Sequence, residues 1–90
     1  SKLYEYLGVG CPVILAAKGD SCELVAKAQG GILIEPGNVC QLVETLIYLS
    51  EHRDCVFQYG ENGRAYIQKR YLRSYLAKTL EAQLLEMLYN

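Results

Sequence analysis

Pro12-Val13-Ile14-Leu15-Ala16 and Ile32-Leu33-Ile34 are unbroken apolar runs rich in β-branched residues. Gly10 and Gly19 bound the first; Gly30-Gly31 and the turn former Pro36-Gly37 bound the second, so both read as short strands. Strands apolar on both faces belong to parallel sheets covered by helices. Between them, Asp20 followed by Glu23 resembles a capping box ahead of Leu24, Val25 and Ala28, which predicts a helix. Residues 12–34 therefore predict a right-handed β-α-β unit. Such a unit leaves both outer strand edges unpaired unless strands upstream or a partner cover them. The fold class expected is α/β, as the C-terminal part of a larger doubly wound domain with two short parallel strands and several helices.

Outward from this unit, Leu3, Tyr6 and Leu7 recur at helical spacing and Gly8 and Gly10 end the pattern, predicting a helix over 2–8. On the other side, Asn38 with Gln41 is a cap signature, and Val39, Leu42, Val43, Leu46 and Ile47 form the clearest amphipathic stripe in the chain. Val56, Tyr59, Gly60, Gly63 and Ile67 repeat that spacing, with two glycines on the stripe where another backbone can come close. Leu76, Ala77, Leu80, Leu84, Met87 and Leu88 mark a separate terminal helix beginning after Ser74 or slightly earlier.

Ninety residues, 51% apolar and 21% charged with a net charge of -1, make at most one domain and exclude a disordered chain. A chain this short buries somewhat more than ~60% of its unfolded surface, near the limit for folding alone. No global basic field is present, so nucleic acid is not an expected partner. The longest apolar run, from Pro12 to Ala17, is too short to cross a bilayer, and no signal-peptide pattern opens the chain, so secretion is not expected. Ser1 in place of an initiator Met leads to the expectation of a piece of a longer protein. Cys11, Cys22, Cys40 and Cys55 form no C-x-x-C pair and read as small buried hydrophobes in a reducing cytosol rather than a zinc site or disulfide framework. His52, between Glu51 and Arg53, reads as a solvated surface residue.

Four groups carry candidate chemistry. Ser1-Lys2 at a helix start could hold a phosphate through free N–H groups, the helix dipole and a lysine, although an ordinary helix terminus looks the same. One turn on, the Glu5 carboxylate could accept from the vicinal hydroxyls of a ribose, or be simply solvated. Gly8-Val9-Gly10 ends a helix and precedes a strand, the reverse of a dinucleotide fingerprint, and reads as a tight turn. The basic run Arg64, Lys69, Arg70, Arg73 and Lys78 has no acid between residues 65 and 80 and is interleaved with Tyr66, Tyr71 and Tyr75. It reads as a solvated face or a surface that docks another domain, with a membrane surface or RNA as the alternatives.

Taken together, Ser1-Lys2-Leu3-Tyr4-Glu5-Tyr6-Leu7-Gly8-Val9-Gly10-Cys11-Pro12-Val13-Ile14 resembles the hallmark segment of family-four glycosyltransferases with the GT-B fold. Glu23-Leu24-Val25, Gly30-Gly31-Ile32-Leu33-Ile34-Glu35-Pro36-Gly37-Asn38 and Tyr59-Gly60-Glu61-Asn62-Gly63-Arg64 are similar to later blocks of that family, in the same order. The resemblance implies that residues 1–90 are the C-terminal portion of a Rossmann-like donor-nucleotide-binding domain, with the N-terminal acceptor domain absent. It implies a retaining transfer of a sugar from a nucleotide-diphosphate donor to a glycan or lipid-linked acceptor, of the bacterial polysaccharide-assembly type. Ser1 and Lys2 would lie beside the donor diphosphate, and Glu5 would match the second glutamate of the family's E-x7-E motif, on the ribose hydroxyls.

The first glutamate of that motif, the usual phosphate-holding basic residues and all acceptor-binding residues would precede Ser1, so no catalytic residue is assigned and the chain alone would at most bind donor nucleotide. The partners implied are a nucleotide sugar, the missing N-terminal domain of the same enzyme and a peripheral membrane contact. Neither metal nor other cofactor is implied, and the expected location is the cytoplasm, at the inner membrane face. Two alternatives stay open: a GT-B-fold sugar-nucleotide epimerase sharing the nucleotide half, and a non-enzymatic α/β interaction module whose exposed strand edges pair with a partner.

Overall fold

The computed structural model describes residues 2–89. Along the chain run α1 (Lys2–Gly8), β1 (Val13–Leu15), α2 (Asp20–Ala28), β2 (Gly31–Leu33), α3 (Val39–Glu51) and α4 (Arg53–Tyr89). The protein is α/β and mostly helical, with β1 and β2 paired in parallel across the α2 crossover. Val13 stands opposite Gly31, Ile14 opposite Ile32 and Leu15 opposite Leu33.

The expected order of elements is present, and three local expectations need correction. The first concerns the start of α2, where Gly19 at φ 93° precedes the helix, no side chain caps it, and Asp20 is already helical. Asp20 and Glu23 instead occupy the first turn, where their charge favours the positive end of the helix dipole. The second concerns the strands, whose residues are half-buried or, at Leu33, exposed. A two-stranded sheet lacks the neighbours and covering layer that would bury both faces. The third is the expected break near Ser74: α4 runs unbroken for 37 residues. After Gly63 it meets neither glycine nor proline, and the Leu, Ala, Lys, Arg, Gln and Glu that fill it are strong helix formers.

Helix α3 begins as its cap signature predicts. Asn38 Oδ1 accepts from the Gln41 N–H at 2.9 Å, while Gln41 Oε1 accepts from the Glu35 N–H at 2.7 Å, tying the Pro36-Gly37 turn to the helix. No side chain of α3 is buried, however, so its apolar stripe faces solvent.

The core is small. Leu7, Leu24, Ala28 and Ile67 form its centre, with Leu3, Tyr4, Val13 and Tyr66 packed around them, and Val25 and Ile34 are buried beside it. It therefore joins α1, α2 and the first half of α4, and it leaves the second half of α4 projecting. The molecule measures 63 × 26 × 17 Å with a radius of gyration of 17.5 Å, against ~12 Å for an ordinary domain of this length.

Candidate functional site

The position of Glu5 depends on how α1 is stopped and seated. At its C-terminus the Gly10 N–H donates to the Leu7 carbonyl (3.1 Å) and the Cys11 N–H to the Tyr6 carbonyl (2.9 Å), with Gly10 at φ 84°. This is a Schellman turn, in which a glycine adopts the left-handed conformation that ends the helix. It bears out the tight-turn reading of Gly8-Val9-Gly10.

Leu7, fully buried, then locks α1 against its neighbours. A Cβ added at Gly30 would come within 2.6 Å of the Leu7 Cδ2, and one at Gly63 within 3.0 Å of the same atom. A Cβ added at Gly60 would overlap the Gly10 carbonyl oxygen. The two glycines of α4 are therefore where another backbone comes close, as their spacing predicts: the turn after α1 meets α4 at Gly60, and the end of α1 and Gly30 meet it at Gly63.

The crossing places Tyr4 and Glu5 opposite Ile67, Arg70, Tyr71 and Ser74, and an open groove of about 360 Å³ lies between the two helices. The Arg70 guanidinium sits 5.5 Å from the Tyr4 ring centre and 5.9 Å from that of Tyr66, a cation–π arrangement that bridges α4 to α1. Glu5 is exposed, so its carboxylate oxygens are open to a ligand. One groove thus offers a carboxylate acceptor, a guanidinium donor, a hydroxyl and aromatic faces. Together they suit a ligand with neighbouring hydroxyls, a negative charge and a planar ring.

Of the residues singled out in the sequence, Glu5 is in this groove. Lys2 is exposed at the start of α1, and Ser1 lies outside the described residues. Arg70, Tyr71 and Ser74 are the addition. The basic run does flag Arg70 and Tyr71, but nothing local pairs them with Glu5. Lys69, Arg70, Arg73 and Lys78 of that run are exposed, as a solvated or docking face requires, and Arg64 forms an ion pair with Glu61. The hydrogen bonds that Arg64 donates to the Glu61 carboxylate, and the charge of that carboxylate, hold the guanidinium above its ordinary pKa.

Two other expectations change. His52 is half-buried at the end of α3, its ring stacked on Tyr48 with centroids 4.0 Å apart and its Nδ1 2.8 Å from the Tyr48 carbonyl oxygen. All four cysteines are free thiols and none is buried as expected: Cys11 and Cys40 are exposed, Cys22 and Cys55 half-buried. Cys11 follows the turn after α1 and Cys40 lies on the uncovered α3, where the chain supplies no second layer.

Among the described residues no helix is long and apolar enough to cross a membrane, and no three His, Cys, Asp or Glu side chains gather as a metal site. No protein-family model, curated protein or solved structure matches the chain.

Proposed function

We propose that the chain is the C-terminal part of the donor-nucleotide-binding domain of a retaining GT-B glycosyltransferase, Rossmann-like in the whole domain, and that its own activity is to bind the nucleotide diphosphate of the donor. The observation that carries this reading is the groove holding Glu5. Its carboxylate would accept from two ribose hydroxyls, as the family resemblance of residues 1–14 implies. Arg70 would face the diphosphate, a role suited to a planar, permanently charged donor. Tyr4 and Tyr71 would flank the base. Lys2, at the start of α1, would lie beside the diphosphate, as the family resemblance also implies for Ser1. Negative charge grows on that group as it departs, so donors held there stabilise the transition state. Transfer itself would need the N-terminal domain, and the acceptor side would bring the enzyme to the inner membrane face.

The test is a titration of UDP, with GDP as comparator, into labelled protein followed by amide spectra. Amides of residues 2–6 and 70–74 are expected to move with one base preferred, and Glu5→Gln is expected to weaken binding roughly tenfold through loss of a charged acceptor. A dispersed spectrum indifferent to both nucleotides would overturn the reading. It would favour instead a non-enzymatic α/β interaction module, to which the half-exposed strands and the uncovered stripe of α3 already point.

A further inference from the structure

From residue 68 to residue 88 every side chain of α4 is exposed except Thr79, which is half-buried. Within this stretch Leu76, Leu80, Leu84 and Met87 lie on one stripe, 55%, 58%, 52% and 78% exposed. At about 100° per residue, Leu80 is turned roughly 140° away from the buried Ile67. The body of the protein therefore cannot cover the distal stripe without bending the helix. Most helical stability in proteins comes from packing of an apolar face, and this face is unpacked.

The exposed area is large in the same sense. The chain presents 6836 Å² to solvent, whereas a folded monomer of its mass presents about 5,300 Å². The surplus is about 1,500 Å², shared by this helix with the uncovered α3 and the half-exposed strands, and an interface of standard size takes ~800 Å² from each partner.

Charge selects what covers the stripe. Residues 69–78 carry Lys69, Arg70, Arg73 and Lys78 and no acid; residues 79–89 carry Glu81 and Glu86 and no base. Two copies side by side in parallel would set base against base, whereas antiparallel copies set each basic half against an acidic half. An acidic foreign helix or an anionic membrane would satisfy only the basic half and would repel Glu81 and Glu86. We propose that the distal half of α4 pairs antiparallel with the same segment of a second copy, with Leu76, Leu80, Leu84 and Met87 forming the seam. The two-fold axis would pass near Thr79 and Leu80, giving a closed, self-complementary contact. This inference does not rest on the nucleotide reading.

Sedimentation equilibrium of the full 90-residue chain tests it, over roughly 1–100 μM, the range in which such a pair would form. A reversible monomer–dimer equilibrium is expected, loosening as NaCl rises from ~0.05 to ~0.5 M because the opposed halves are screened. Leu80→Glu is expected to weaken the dimer by at least about tenfold, through an unpaired charge in the seam. Should that variant fold poorly, Glu81→Lys with Glu86→Lys alters only exposed positions, makes the whole segment basic, and is expected to weaken the dimer as well. A chain that stays monomeric, a dimer that tightens with salt, or one unmoved by these substitutions would overturn the proposal.

Discussion

Gln29 ends α2 at φ 52°, a left-handed conformation that costs a non-glycine residue about 1–2 kcal/mol. Its side chain is exposed, and its N–H and that of Gly30 already make the bonds that close the helix, to Ala26 and Val25. Gln29→Gly is therefore expected to stabilise the fold by about 0.5–1 kcal/mol, the strain relieved less the added freedom of the unfolded chain. Urea unfolding reads this as a higher midpoint with an unchanged slope. Gly60 carries the opposite sign. Alanine there gains about 1 kcal/mol of helix propensity, but its methyl would overlap the Gly10 backbone oxygen, which has no flexible end to move. A net loss of about 2 kcal/mol is expected, since overpacking against rigid backbone lies at the costly end of its range. At this scale the sequence reveals that Gly60 and Gly63 admit a close neighbour, yet not which one, because Gly10, Gly30 and Leu7 are brought there only by the tertiary fold.

The start of α3 was legible because its signal is local: Asn38 accepts from the Gln41 N–H three residues on, as the spacing implies, although the Gln41 side chain takes the Glu35 N–H rather than that of Asn38. Asn38→Ala is expected to cost about 1 kcal/mol, read by thermal or urea unfolding. The start of α2 was misread for the same reason in reverse, since the Asp20 signature is local while Gly19 turns the chain one residue earlier. For α4 the apolar stripe changes direction between Ile67 and Leu76, which looks like a boundary in the sequence. The backbone ends a helix only where it must, and no residue beyond Gly63 forces an end. The strands are legible in position to within a residue or so, but not in burial, because burial depends on neighbours outside the β-α-β unit.

The whole molecule rests on few buried side chains, and Leu7 touches most of the surfaces they share. Leu7→Ala is expected to cost about 3–4 kcal/mol, a large share of the roughly 5–13 kcal/mol typical for a domain of this length. Cooperative melting of α1, α2 and the first half of α4 together, followed by circular dichroism and by hydrogen exchange of their amides, checks that they are one unit. The candidate groove was half legible for a reason of this scale as well. Glu5 stands in a contiguous motif, whereas Arg70, Tyr71 and Ser74 reach it only because two helices far apart in sequence cross.

That crossing also sets an order of events during synthesis. The seat of α1 is completed by Gly60, Gly63 and Ile67, so once α1 is made it has only α2 and Gly30 to pack on until residues 60–67 have followed. At ~5–20 residues per second this is a wait of several seconds, during which Leu7 lacks the α4 side of its seat. A nascent chain arrested before residue 60 should hold Glu5 on an incompletely seated segment, open to protease, and one arrested well beyond Ile67 should protect it.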